Sequence, residues 1–524
     1  MSSRAGYVEL YRIGSRYGRG LLYGSRCRPV GRRALRGANG DGVVSRHAMW
    51  RAGMRALPFH RSLTPNPQSP CPLPATYDIL PQHTDDGPLS MTTLANQTSP
   101  ENPRRNIPWV ATSYFAEGLP YMIVRILSGV FFTQLGVKER YLGYLNYLGL
   151  PWNIKFLWAP LVDGWGTKRG WQVALQGILA VLTGLVALLS HFAAGAEGGA
   201  YLEWIACVFV VMAFVAATND IAIDGYYLEA IPKREDQALL SGYRVLAYRM
   251  AMVFARSGLV AFAAWAISSA TMNTPYHAWA LAFSVGAGVL AALALGHAFL
   301  LPKVGTPAAD VETQFAKARR VFVEGFLTYL AQPKVALVLA FIVLYKMGDE
   351  LLFSMVTPFM LRELKITGEQ YAWIAGIVGA AGTIIGAMWG GYLIKKMGLR
   401  KAMWPLTIAM NLNIWLYVWL SVAKPDPTTM SGISIIATIH GIEQIAAGLG
   451  SAALLVFLLT TCSQQYKATH YAVGSAIMSI PGTLVGGQAG AIVEAIGYTN
   501  LYILAFIAAL PGMALIPLVP MREE

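Results

Sequence analysis

Residues 204–217 read WIACVFVVMAFVAA and run straight into residues 218–231, TNDIAIDGYYLEAI. Fourteen apolar residues in succession leave no polar face for water, so this helix belongs in lipid or a wholly apolar interior. Asp220 and Asp224 then fall where the helix should still be within or just leaving the hydrocarbon. A charge at such depth costs on the order of 2.5–3.5 kcal/mol on insertion scales. The two carboxylates must therefore face protein or water, and the stretch predicts a membrane helix whose polar side looks into a bundle.

The rest of the chain repeats that material. Of its 524 residues 55% are hydrophobic and only 13% charged, against about a quarter charged in soluble proteins. Stretches near the roughly 20 residues needed to cross a bilayer recur at 108–134, 141–162, 171–191, 200–222, 238–262, 276–300, 335–360, 370–393, 402–421, 432–460, 468–493 and 499–519. The longest break, 302–334, divides them six and six. The expectation is an all-α polytopic membrane protein with twelve transmembrane helices in two six-helix pseudo-repeats, 107–301 and 335–524, joined by a cytoplasmic linker at 302–334.

The halves echo each other. DGWGTKRGW at 163–171 and GGYLIKKMGLRKAMW at 390–404 are both glycine-punctuated, cation-loaded turns, and AEGLPY at 116–121 matches GDELLF at 348–353 in putting acids and glycine inside an apolar helix. Parallel six-helix halves with a site between them at mid-membrane depth are the plan of major facilitator transporters. Arg104, Arg105, Lys168, Arg169, Lys233, Arg234 and the cations of 303–334 and 395–401 occupy alternate loops, which places both termini in the cytoplasm.

Residues 1–106 are different. Up to Arg61 they hold thirteen Arg, no Lys, and only Glu9 and Asp41 as acids. Two readings stand: a disordered leader of transit-peptide type, or a start set too early, with Met91 opening a short cytoplasmic leader. This segment also accounts for most of the formal charge of +13, so no nucleic-acid partner is inferred from it. Cys27, Cys71, Cys207 and Cys462 lack metal or disulfide spacing. With no phosphate-cradling glycine loop, no metal cluster and no nucleophile beside a base, neither an enzyme nor a cofactor is expected.

The ionisable residues inside the spans are the candidate site. Asp220 and Asp224, four apart, share a helix face; two acids that close compete for one proton, or else they pair with Arg244 or Arg249 on the next helix and hold the bundle. Arg249 and Arg256, seven apart, share a face, with Arg244 turned about 140° away. Lys346, Asp349 and Glu350 are spaced to neutralise one another. His440, Glu443 and Gln444 lie on one face, and Glu443, without a local cation, is the favoured proton carrier or substrate contact. Glu117, Arg125 and Lys155 complete the set. Tyr114, Phe115, Tyr121, Tyr144, Tyr147 and Trp152 supply rings suited to sugar faces or to the membrane interface. Gly118, Pro120, Gly149, Pro151 and Pro160 mark places where a membrane helix can bend.

Several of these stretches, in order, resemble the AmpG-type muropeptide permeases of the major facilitator superfamily: YFAEGLPY (114–121), LGLPWNIKFLWAPLVD (148–163), NDIAIDGYYLE (219–229), GYRVLAYRMAM (242–252), YKMGDELLFSMVTPFML (345–361) and EQIAAGLGSAALLVFLLTTCSQQYKATHYA (443–472). The resemblance spans about residues 107–518. It implies a monomeric secondary transporter in the bacterial inner membrane that imports anhydro-muropeptides with protons by alternating access and feeds cell-wall recycling. It places Glu117, Lys155, Asp163, Asp220, Asp224, Arg244, Arg249, Asp349 and Glu443 on matching motif positions. Asp163 resembles the gate aspartate of the superfamily, with Lys168 and Arg169 beside it. Gly164 stands where a cation is common, and Asn219, Gly225 and Tyr227 stand where Gln, Ala and Arg are expected. Asp–Gly–aromatic here is also similar to the related acetyl-CoA transporters. An acetyl-CoA carrier or another carrier of anionic or sugar-containing solutes is the nearest alternative; a membrane receptor or structural protein is the alternative from another class.

Overall fold

The computed structural model describes residues 103–521 except 197, 269–273, 305–310 and 464, with the side chains of 163, 311–315, 317, 318 and 468 also outside the description. The expectations for the leader fall outside these residues. Among the described residues there is no strand; they are helical apart from turns and short connections. In hydrocarbon every backbone N–H and C=O must be satisfied within the segment, which leaves helices as the solution for an open chain.

The helices are α1 (Pro103–Gln134), α2 (the run 139–164), α3 (Lys168–Ala196), α4 (Gly199–Ala230), α5 (Arg234–Ser268), α6 (Pro275–Leu300), α7 (Val311–Leu330), α8 (Val335–Glu363), α9 (Gly368–Met397), α10 (Leu399–Ala423), α11 (Met430–Thr460) and α12 (Thr469–Leu515). Among the described residues nine helices are long and apolar enough to cross a membrane, or ten if the end of α7 and the bent α8 count as one span. The helix α12 covers 47 residues and breaks at Gly497, whose φ of 78° suits only glycine. At 1.5 Å per residue such a length is about 70 Å, twice the hydrocarbon thickness, so it holds both of the last two expected spans. Every expected span coincides with helix. The expected linker carries a helix of its own, α7.

Two departures matter. First, α4 runs eight residues beyond its expected end at 222, so Asp220 and Asp224 lie within it. Second, α2 is broken into five short pieces. Pro151 and Pro160 each sit in the first turn of a new piece, Leu150–Ile154 and Ala159–Gly164, where a missing N–H does no harm. Between them a 3₁₀ turn, Lys155–Leu157, carries Lys155. Helix starts follow the sequence closely: Thr167, Thr274 and Thr429 cap α3, α6 and α11, and Thr367 with Gln370 forms a capping box on α9.

Large apolar side chains that point outward show the solvent to be lipid: Val181, Met388 and Val422 are 72%, 72% and 71% exposed. Inside, α3 packs on α4 and α6, α1 on α5, and α11 on α9 and α10. The opening of α2 packs against α12 through glycine. A Cβ on Gly490 would sit 1.8 Å from the Glu139 carbonyl oxygen, and one on Gly143 would sit 2.7 Å from the Gly490 nitrogen. Ion pairs flank this seam, Arg362 to Glu139 at 2.9 Å and Arg140 to Glu494 at 3.2 Å. Gly490→Val should therefore destabilise the detergent-solubilised protein by about 1–3 kcal/mol, read as a lower midpoint of thermal unfolding; an unchanged midpoint would show that the seam yields.

Candidate functional site

Gly118 lets α1 lie against α5: a Cβ there would come 3.0 Å from the Ala251 side chain and 3.1 Å from Tyr248. Beside this close approach opens a cavity of about 710 Å³ lined by Tyr114, Glu117 and Tyr121 of α1 and by Ser241, Arg244, Tyr248, Arg249 and Met252 of α5 among others. That volume is within the range of small-molecule sites.

Helix α4 forms the polar back of this region. The Tyr114 hydroxyl donates to Asp224 Oδ1 at 2.8 Å, and Arg244 Nη2 donates to the same oxygen at 3.0 Å. The Arg244 guanidinium lies 4.2 Å from the ring centroids of both Tyr114 and Tyr227, a cation held between two π faces. One turn away, Lys155 Nζ meets Asp220 Oδ2 at 2.6 Å. Asn219 Nδ2 donates to the Ala116 carbonyl at 3.2 Å, which zips α4 to α1 and sets the carboxyl groups of Glu117 and Asp220 in contact.

Some sequence expectations need correction here. Asp224 takes Arg244, as one alternative held, but Asp220 takes neither arginine; its cation comes from α2, because the break at Lys155 turns that side chain toward α4. The cavity receives Arg244 with Arg249, five apart, rather than Arg249 with Arg256. The face 241, 245, 248 and 252 points at the cavity, and long guanidinium side chains reach in from both of its flanks. Arg256 lies beyond, in the π-helical turn Phe254–Leu259, where wider winding spoils the seven-residue register. Among the described residues no carboxylate pairs with Arg249, whose contact is Met252 Sδ at 3.4 Å.

In α8, Lys346 neutralises Asp349 at 3.1 Å and Glu350 at 3.3 Å, as their spacing predicts, and also donates to Ser451. In α11, Glu443 is 1% exposed and His440 fully buried. Gln444 donates to Glu443 Oε2 at 3.1 Å, His440 Nδ1 stands 3.8 Å from it, and the Tyr417 hydroxyl pairs with His440 at 2.8 Å. Glu443 does have cations in electrostatic range, Arg256 of α5 and Lys346 of α8, brought by folding from outside its own helix. Neither Glu443, Gln444 nor Asp349 lines the 710 Å³ cavity.

The remaining candidates are structural in their contacts. Arg125 Nη1 donates to the Asn146 carbonyl at 2.7 Å and braces α1 on α2. Arg169 donates to the carbonyls of Leu301 and Ala298, satisfying the end of α6. The aliphatic part of Lys168 lies over Gly225, where a Cβ would come within 2.8 Å; a larger residue at 225 would displace it. The Asp163 side chain falls outside the described ones. Sequence reasoning missed Tyr248 and the ion pairs Glu139–Arg362 and Arg140–Glu494. The spacing of four between Arg244 and Tyr248 was the available signal for the first.

The sequence signature of the Major Facilitator Superfamily matches residues 110–486. The chain belongs to this superfamily. It is 28% identical over 410 residues to the anhydromuropeptide permease of Escherichia coli (strain K12), covering 77% of each chain. It is 24% identical over 404 residues to the AmpG 4 transporter of Rickettsia felis, covering 76% of this chain and 92% of that one. The AmpG-type resemblance therefore holds across most of the membrane region. In fold it is similar to a bacterial homolog of the human lysosomal transporter Spinster in an inward-facing, unoccupied conformation, with TM-score 0.59, 15% identity, and 80% and 97% of the two chains covered.

For a facilitator the pairs that cross helices should be coupled. Lys155→Met and Asp220→Asn should each lower stability, and the double variant should recover part of the loss, giving a coupling of about 0.5–3 kcal/mol in a double-mutant cycle. Additive losses would mean that the 2.6 Å contact contributes nothing.

Proposed function

We propose that the protein is a proton-coupled secondary transporter that imports anhydro-muropeptides across the bacterial inner membrane by alternating access, with both termini in the cytoplasm and the monomer as the working unit. On this reading residues 107–301 and 335–524 are the two moving halves and 302–334 the cytoplasmic connection. Transport rather than catalysis is the work, and no cofactor is needed.

The observation that carries the reading is the α1–α5 cavity, where an uncompensated guanidinium stands among tyrosines. An anhydro-muropeptide joins pyranose rings to peptide carboxylates. Tyr121 and Tyr248 offer ring faces and hydroxyl tips for the sugar, and Arg249 offers a planar pair of donors for a carboxylate. Arg244 is already engaged by Asp224 and its two tyrosines, so it shapes the wall. The similarity to the Escherichia coli anhydromuropeptide permease supports the same solute class.

The packing supports an access cycle. At one end of the bundle the halves meet through Gly143 and Gly490 and the pairs Arg362–Glu139 and Arg140–Glu494. Toward the other end Asp224 and Arg244 keep 45% and 31% of their side-chain surface open. A molecule shut at the first end and open at the second is one station of such a cycle; parting the glycine seam would give the other.

Proteoliposomes test this directly. Labelled anhydro-muropeptide should accumulate under an inward proton gradient, and unlabelled anhydro-muropeptide should compete while acetyl-CoA and free sugars do not; competition by acetyl-CoA alone would reassign the solute. Arg249→Ala removes a charge-assisted hydrogen bond of about 1.5–3 kcal/mol. Its KM should rise about tenfold to a hundredfold with kcat less affected, and an unchanged KM would remove Arg249 from the site.

A further inference from the structure

We propose that Glu117 and Asp220 form one proton-carrying dyad, in which Glu117 holds a proton donated to Asp220, and that Lys155 is the group whose approach and withdrawal loads and unloads it. The inference rests on the transport reading above and names where the coupling proton sits.

The argument is one of donors and acceptors. An ionised carboxylate can only accept, so two ionised carboxyl groups in contact would leave both oxygens without a donor and two like charges adjacent in a low dielectric. Glu117 and Asp220 are in such contact, held there by the Asn219 to Ala116 bond between the residues just before each of them. Asp220 Oδ2 is taken by Lys155 at 2.6 Å, so Asp220 is the charged partner and Glu117 the one that must supply hydrogen. The other Glu117 oxygen, Oε2, is buried and has no hydrogen-bond partner. Glu117 is also one of the residues that line the cavity, so the dyad adjoins the space from which a proton would come.

The neighbours fix the charge state. On α1 Tyr114 is committed to Asp224; on α4 Asp224 is neutralised by Arg244 of α5; on α5 Tyr248 and Arg249 face the cavity. Lys155 of α2 is the one cation within ion-pair distance of the dyad among the described residues. It sits on the 3₁₀ turn between two proline-started pieces of a broken helix. With Lys155 engaged the dyad carries a single proton and the trio is neutral. With Lys155 withdrawn, Asp220 takes up a second proton from cavity water to stay neutral, and re-engagement of Lys155 after access has changed sides releases it to the opposite water. One proton thus moves for each excursion of α2, which is the stoichiometric link that a symporter needs. Glu443, sealed among His440, Gln444 and Tyr417, does not line the 710 Å³ cavity and is not assigned this role.

The test uses full-length protein in proteoliposomes with a trapped pH dye. Wild type should take up protons along with labelled anhydro-muropeptide moving down its own gradient. Asp220→Asn should lose the proton movement while measurable downhill solute uptake remains, whereas Glu117→Gln, whose amide can donate to Asp220 as the protonated acid does, should keep it. Proton flux per solute equal to wild type in Asp220→Asn would overturn the dyad. Lys155→Met removes the cation, so the dyad should hold its protons more firmly and the alkaline limb of the uptake profile should move up by about 1 pH unit or more; an unmoved profile would overturn the role of Lys155. Infrared spectra read the dyad without any transport. The wild-type protein should show a protonated carboxyl band that exchanges in D₂O and is absent from Glu117→Gln, and identical spectra would overturn the proposal. If wild type moves no anhydro-muropeptide, the solute assignment fails while the infrared result still decides on the shared proton.

Discussion

An ionisable side chain inside the hydrocarbon thickness must find a partner within the bundle, because lipid offers none. Several charges among the described residues obey that constraint by reaching across helices. Lys155 of α2 meets Asp220 of α4, and Arg244 of α5 meets Asp224 of α4; Arg362 of α8 meets Glu139 of α2, and Arg140 of α2 meets Glu494 of α12. Breaking such a contact by moving one helix exposes two unmatched groups at once. The pairs therefore fix helix register in the state seen here, and they supply alternatives that a second state has to satisfy. Electrostatic matching, rather than apolar packing alone, is what makes the arrangement specific, since lipid tails are as apolar as the leucines that face them.

Against that background the incompletely matched groups stand out. Arg249 has a thioether for company, Glu117 keeps one buried oxygen bare, and Glu443 Oε1, His440 Nε2 and Arg256 Nε are buried without hydrogen-bond partners. The first two border the large cavity between α1 and α5. The other three lie where α5 meets α9 and α11. Both α5 and α9 are wound as π-helical turns there, Phe254–Leu259 and Ala372–Val378, and pack on each other. Such turns widen the helix and free backbone groups, and they recur at functional sites. Similar ingredients are thus used differently at the two places, one presenting its charges to a cavity and the other enclosing them.

Glycine sets how near the charged groups can come. Gly118 brings α1 onto α5 beside Tyr248, and Gly143 with Gly490 brings α2 onto α12 beside the outer ion pairs. In a membrane, where helices gain little from burying apolar surface against each other, close backbone approach is a main source of packing energy. The same glycines leave room for sliding, because the surface they offer has no side chain to interlock.

How much of this was written in the chain follows from range. Lipid as solvent, the all-α class, the spans, the threonine caps, and the local neutralisation of Lys346 by Asp349 and Glu350 depend on neighbours within a turn or two, and composition and spacing determine them. The AmpG-like motifs likewise located Asp220, Asp224, Arg244 and Arg249. What spacing could not state is which faces meet. Lys155 lies 65 residues from Asp220 and Asn219 lies 103 from Ala116, and no local period relates such positions. The break in α2 that aims Lys155, the π-helical turn that carries Arg256 away from Arg249, and the contact of Glu117 with Asp220 were decided only when helices chosen by hydrophobicity were packed so that their buried charges matched.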